Sequence, residues 1–363
     1  MIHSVKNIVL LLITILLYGC STTTPTKVVK QKKFERFFCW GSPANQAEAA
    51  KFASAGVTDI VVRNYKQYTY AKTTNMNIYW KVFLPVGPHK QVMSIEEEKH
   101  CNYINGTDLN KNLTKDQKMK IIHKRRLEKK HQYGGHYVVD VDTLSDYRIA
   151  CFISDSDFSL TQKHIDKLLK DAPKDVVGIY LDFIGYTNFT GCYCQQCLLK
   201  YQNYLKIKNL KDTNENKNIF YRDEMISYYN KVIDYIKSKK PHFKTVIHAY
   251  PAFKYEFLYG NRTKADFCGQ TVSWYFKWNE DKIKKYTKYV INHAKDYHSH
   301  PEGLPFIGLN IDKTSSLGYK TPQDVEFELQ KILEAGGKSL LICSGRNILA
   351  DGYYEVFKKY FAK

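Results

Sequence analysis

At 363 residues with no Pro/Gly-rich linker in its interior, the chain has the length of one large barrel-type domain, and a second domain is not expected. Lys and Arg number 55 against 36 Asp and Glu, a formal net charge of +19, which favours anionic lipid or acidic polysaccharide as partners. No nucleic-acid recognition motif accompanies the charge, so a nucleic-acid partner is not expected.

The N-terminus carries His3 and Lys6, then an apolar stretch over 8–18, and closes with Leu17-Tyr18-Gly19-Cys20. This is the pattern of an export signal, too short to span a bilayer comfortably as a mature helix. The apolar run alone would also allow an uncleaved anchor. Its last four residues resemble a bacterial lipobox, which implies cleavage before Cys20, a diacylglycerol on that sulfur, and lipid anchoring in a bacterial cell envelope. The Thr- and Lys-rich stretch 21–33 is read as a flexible tether, leaving 34–363 as the folded part.

From there apolar runs alternate with helix signals. Strands are predicted at 37–40, 59–63, 78–84, 178–183, 245–250, 271–276, 306–311 and 339–343. Helices are predicted at 45–55, 160–170, 221–239, 281–296, 322–335 and 354–361, the fifth opened by an N-cap and proline at Thr321-Pro322 and closed by Gly336-Gly337. Eight short strands alternating with helices make the fold class α/β, a (β/α)₈ TIM barrel. One connection breaks the rhythm: an insertion of about 88–148 after strand three, with a basic run at 115–131 and a possible hairpin at 137–142. In such a barrel this segment leaves the C-terminal face and overhangs the mouth. Its basic run is a solvated helix or a contact for acidic glycan.

Nine cysteines in an exported chain require an account. Cys39, Cys268 and Cys343 sit in or beside apolar runs and behave as small hydrophobes; Cys101 lies in a polar stretch. Cys192, Cys194 and Cys197 form a C-x-C-x-x-C cluster ten residues beyond Asp182. Three thiolates at this spacing can reach one tetrahedral ion, with Cys151 the best fourth ligand. A single disulfide plus a thiol is the alternative. Four sulfurs leave no open position, so such a zinc would be structural; no organic cofactor is expected.

The segments Tyr147-Arg148-Ile149-Ala150-Cys151, Gly178-Ile179-Tyr180-Leu181-Asp182 and Cys192-Tyr193-Cys194-Gln195-Gln196-Cys197, followed by Tyr201 and Leu205, resemble the zinc-bearing β-galactosidases of glycoside hydrolase family forty-two. The resemblance implies zinc on Cys151, Cys192, Cys194 and Cys197. It also meets a departure. Those enzymes end strand four Asp-Asn-Glu, the Glu being the acid, whereas this chain reads Asp182-Phe183-Ile184. Isoleucine carries no proton to donate, so neither their mechanism nor their galactoside specificity carries over.

Asp182 itself survives at the end of strand four, where barrel chemistry is kept. Tyr180-Leu181-Asp182-Phe183 is similar to the strand of α-galactosidase-type barrels whose Asp is the nucleophile. It is a catalytic candidate or a carboxylate tying loops together. A glycosidase needs a second carboxyl across the sugar; Asp312, just past strand seven, is the first candidate, and Glu280 and Asp281, after strand six, are the alternatives. Arg63, Asn64, His248, Tyr250, Trp274, Tyr275, Asn310 and Arg346 fall at strand ends and are candidate substrate contacts, the aromatic ones serving equally well as core. The expectation is a glycoside hydrolase, or a barrel that binds glycan after losing its acid.

Overall fold

The computed structural model describes residues 33–82, 138–139, 146–147, 155–184, 195–249, 259–275, 277–296, 302–315 and 318–361. Eight parallel strands close into a barrel. They are β1 (Arg36–Trp40), β2 (Asp59–Val62), β3 (Asn77–Val82), β4 (Gly178–Ile184), β5 (Lys244–Ala249), β6 (Phe267–Ser273), β7 (Glu302–Gly308) and β8 (Ser339–Cys343). Each pairs with the next, and β8 returns to β1 in a register running from Arg36 opposite Ser339 to Trp40 opposite Cys343. The chain is therefore an α/β TIM barrel.

The outer helices are α1 (Gln46–Ser54), α2 (Tyr65–Ala71), α3 (Asp155–Asp171), α4 (Gln195–Lys208), α5 (Asn214–Lys239), α6 (Glu280–Asp296), α7 (Pro322–Glu334) and α8 (Tyr353–Phe361). Among the described residues no helix is long and apolar enough to cross a membrane. Side chains cap several starts: Asn45 accepts from Glu48 N, Thr213 from Asn216 N, and Thr321 with Asp324 forms a reciprocal capping box before Pro322. Gly336, at φ +94°, ends the α7 turn in the left-handed region. Within the insertion Val138–Val139 pairs antiparallel with Asp146–Tyr147, a hairpin ladder that meets the predicted 137–142 only at its first strand.

Strand alternation divides the apolar residues into two cores. Phe38, Val61, Tyr79, Tyr180, Val246, Phe267, Leu304, Phe306 and Leu341 fill the barrel, while their neighbours Phe37, Ile60, Ile78, Ile179, Ile247, Ile307 and Ile342 pack under the helices. Strands covered on both faces read as continuous apolar runs, which is why most were visible in the sequence. At the start of β4, a Cβ on Gly178 would lie 1.9 Å from Lys244 O, so only glycine admits this β4–β5 approach.

Two strands differ from expectation. β6 and β7 begin four residues earlier and end three residues earlier than 271–276 and 306–311. Gly269, Gln270, Gly303 and Pro305 disguise their first halves as turn. Gln270 is nevertheless fully buried, its amide donating to Asn261 Oδ1 at 2.6 Å and its carbonyl accepting from Gly260 N at 2.9 Å. Tertiary partners thus satisfy a side chain that sequence alone assigns to solvent.

The N-terminal pole is closed by charge on aromatic packing. Arg36 donates to Glu302 at 2.6 Å, approaches Asp59 at 3.7 Å and lies 4.7 Å from the Phe267 ring centroid. Burial pushes the Asp59 carboxyl above its ordinary range against the opposing effect of Thr58, Asn77 and Arg36. Beside it Asp266 accepts from Lys237 at 2.7 Å, Lys244 at 2.9 Å and Thr245 N at 2.8 Å. Burial works to raise it, but these donors outweigh that and hold it at about 2.

Candidate functional site

The C-terminal pole is built differently. Trp40 ends β1, Lys81 lies one residue before the end of β3, His248 one before the end of β5, and Trp274 and Tyr275 follow β6 directly. Lys81 is 4% exposed, with its ammonium 4.0 Å from the Trp40 ring centroid, a cation–π contact within a dry wall. Trp40 also faces Tyr180 at 6.1 Å and His248 at 6.5 Å; His248 stacks on Phe306 at 4.0 Å, and Trp274 on the same ring at 5.7 Å. The indole Nε1 of Trp40 is buried without a hydrogen-bond partner among the described residues.

Above these rings opens a cavity of about 600 Å³, walled by Trp40, Ser42, Arg63, Gln67, Tyr275 and Arg346 among others, a volume ordinary for a small-ligand site. A Cβ on Gly41 would stand 2.6 Å from Arg346 N, and one on Gly345 2.3 Å from Cys39 Sγ. This glycine contact lets the loops after β1 and β8 meet and brings Arg346 to the rim. Arg346 donates to Glu48 at 2.7 Å, and the other Glu48 oxygen accepts from Ala44 N at 2.8 Å. Ser344, between β8 and this rim, holds φ 59°, ψ 41°, a left-handed conformation costly for a residue with a Cβ. Tyr275 OH lies 3.1 Å from both Ser344 Oγ and Cys343 Sγ.

A larger hollow of about 840 Å³ lies at the opposite pole, between the starts of β1–β3 and α1. Barrel chemistry sits at the C-terminal ends of strands, and polar groups of the N-terminal hollow are spent on one another: Thr58 Oγ1 and Asn77 Nδ2 both serve Asp59. The smaller cavity is the better site.

Beneath the mouth lies a buried ion pair. Lys320 Nζ donates to Glu328 at 2.8 Å, Ser273 Oγ at 3.1 Å and Gly308 O at 2.9 Å, and Ser273 Oγ donates to Glu328 at 2.6 Å. Lys320 and Glu328 are fully buried. Burial drives the lysine down and the glutamate up, each opposed by its partner. The cluster ties the ends of β6 and β7 to α7 just below Trp274.

The candidates from sequence distribute unevenly. Arg63, Tyr275 and Arg346 share the cavity; His248 and Trp274 stand in the wall below it. Asn64 does not face a ligand in this way: it caps α2, accepting from Gln67 N at 3.0 Å. Asn310 is half-buried and spends its side chain on Gly318 O and Asp312 N. Asp312 lies four residues past β7 rather than just beyond it, because that strand ends at Gly308. Exposed, it accepts from the Thr314 hydroxyl and amide, which lower its pKa. Glu280 starts α6, and Lys284 and then Lys331 hold its carboxyl low. Both acids are thus poised as carboxylates, against the raised pKa that a proton donor needs.

Asp182 lies within β4, two residues past the inward-facing Tyr180; its side chain is outside the description. Tyr250, Cys151, Cys192 and Cys194, with Cys20 and the run 115–131, lie outside the described residues. Cys197 is fully buried at the start of α4. Lys81, Trp40 and Gln67 escaped the sequence analysis. A lysine interrupting the apolar run Ile78-Tyr79-Trp80-Lys81-Val82 was the available signal, since lysine is rarely buried without a role.

No family model matches the sequence, and no curated protein matches it either. Solved structures do match in fold. The glycoside hydrolase domain of PgaB (BpsB) from Bordetella bronchiseptica aligns at TM-score 0.55 and 7% identity, over 91% of this chain and 99% of that one. A β-galactosidase from the psychrophilic Marinomonas ef1 aligns at TM-score 0.57 and 7% identity, over 89% of this chain and 58% of that one. Gan42B, a family forty-two β-galactosidase from G. stearothermophilus, aligns at 0.50 and 11%, over 91% and 57%. This chain therefore spans little more than half the length of those two galactosidases. At these identities the likeness is one of fold alone, a closed (β/α)₈ barrel.

Proposed function

We propose that the chain is an exported glycoside hydrolase acting on carbohydrate at the C-terminal mouth of its barrel, anchored to a bacterial envelope membrane through lipid on Cys20. The observation that carries this reading is the mouth itself: a cavity of about 600 Å³ with Trp40 and Tyr275 in its wall and Arg63, Gln67 and Arg346 at its rim. Flat rings with polar edges suit the faces of sugars, and amide and guanidinium groups suit their hydroxyls. The glycoside hydrolase fold of the structural neighbours adds to this by analogy.

Asp182 is assigned the role of nucleophile or oxocarbenium stabiliser, on its place in the C-terminal half of β4, two residues before the strand ends at Ile184. Asp312 and Glu280, the proton-donor candidates, are both held low by their neighbours, which sets them against that role as they stand. Structural zinc on Cys151, Cys192, Cys194 and Cys197 would clamp the connection after β4. Full burial of Cys197 suits a closed site rather than one open to water. Metal analysis should return one zinc per chain, lost in Cys197→Ser.

A second reading is a glycan-binding barrel without turnover. Ile184 favours it, as does the lack of any carboxylate among the described residues lining the cavity. Release of reducing sugar from a panel of envelope and host glycans separates the two. Asp182→Asn should lower any turnover by at least about a hundredfold with binding kept. Unchanged turnover would remove Asp182 from the mechanism.

A further inference from the structure

We propose that the sugar taken at this mouth is anionic, bearing a carboxylate or sulfate that Arg63 and Arg346 receive. The inference rests on the carbohydrate reading above and adds the charge of the ligand. Arginine is scarce in this chain, eight residues against 47 lysines, yet among the described residues two of the eight line the cavity and no lysine does. A surface that was merely basic would show the opposite choice. Guanidinium differs from ammonium in presenting a planar fork that meets two oxygens of a carboxylate or sulfate at once.

The two forks are set up differently, and both retain donors. Arg63 has no ion-pair or hydrogen-bonding partner for its guanidinium among the described residues; only its backbone N–H is engaged, by Gln67 Oε1 at 2.9 Å. Arg346 gives one nitrogen to Glu48, itself fixed by the amide of Ala44. That leaves most of its fork free on a side chain 58% exposed. Glu48 is thus a positioning residue. No Asp or Glu lines the cavity among the described residues, and Glu48 is the one carboxylate there that takes a donor from either fork. A neutral sugar would leave the forks to water. An acidic one converts them into charge-assisted contacts.

Calorimetry on the whole chain tests this with three probes: an oligosaccharide carrying uronic acid, its carboxyl-reduced neutral twin, and an oligosaccharide without uronic acid that bears sulfate esters. At least one anionic probe should bind on the order of tenfold tighter than the neutral twin, and which one identifies the anion. Arg63→Gln should erase most of that preference and Arg346→Gln part of it, read in each variant as the ratio of anionic to neutral affinity. A companion variant with the lysines of 115–131 changed to glutamine should keep the preference. Equal affinity for acidic and neutral probes overturns the proposal while leaving a carbohydrate site standing. So does a preference that survives both arginine substitutions and disappears with the lysines. Binding of none of the probes overturns it too and, if no neutral glycan of the wider panel binds either, takes the carbohydrate reading with it.

Discussion

The two poles of the barrel use similar residues to opposite ends. At the N-terminal pole, Arg36, Asp59, Asp266 and Glu302 are consumed by one another and by Lys237, Lys244, Thr58 and Asn77. At the C-terminal pole, the Arg63 guanidinium and the Trp40 indole N–H are left without a partner among the described residues, and Ser344 is held in a left-handed conformation. The lesson is that hollow volume does not mark function. The larger hollow belongs to the pole whose polar groups are already spent; unspent hydrogen-bonding capacity and backbone strain gather at the smaller one.

That contrast should break most violently where a satisfied charge cluster supports the unsatisfied pole. Lys320→Met strands the Glu328 carboxyl in a dry site and should cost on the order of 3–5 kcal/mol in urea unfolding. Lys320→Met with Glu328→Leu should recover much of the loss. A single variant as stable as the parent would mean the pair is already neutral.

The N-terminal pole makes a prediction in pH. Asp266 is held near 2, below its ordinary 3.8, so its contribution is complete above pH 3.8 and lost as pH falls through 2. Over that window Asp266→Asn should remove about 1–2 kcal/mol of acid sensitivity, read from unfolding curves at pH 4 and 2. Asp59 has the opposite sign. Its raised pKa gives stability that is complete below its unfolded value and is lost as pH rises through the folded one. Acid curves with the same slope in parent and Asp266→Asn would separate the pole from its charges.

The smallest effect belongs to the strained rim. Ser344→Gly should relieve the left-handed penalty and raise stability by about 1 kcal/mol, measured as a higher Tm. The same change deletes the hydroxyl beside Tyr275 and should weaken glycan binding. Gain in stability with loss of binding would mark the strain as part of the site; loss of both would mark Ser344 as ordinary support.

Much of this molecule was legible before any coordinates. Phe37-Phe38-Cys39-Trp40, Asp59 to Val62 and Ser339 to Cys343 announced strands because burial on both faces demands unbroken apolar runs. Thr321-Pro322 fixed the start of α7 through local capping chemistry. β6 and β7 were misplaced because Gln270, Gly303 and Pro305 look like turn residues until Asn261, Gly260 and Val290 are folded against them. Helix α2 went unread, being a short polar segment with Tyr68 and Ala71 its buried residues.

Strand-end position was enough to place Arg63, Tyr275 and Arg346 around one cavity, because parallel strands in a closed barrel must all deliver their C-termini to one pole. Sequence could not show that Asn64 is spent on a helix cap, that Asp312 and Glu280 are held as carboxylates by Thr314 and by Lys284 and Lys331, or that Lys81 lies against Trp40. Periodicity and caps are properties of neighbours along the chain, so the sequence by itself determined the barrel and its strand count. Which polar groups are satisfied and which stay available depends on residues up to about 300 positions apart, as Glu48 and Arg346 are, and only the closed tertiary structure decided that.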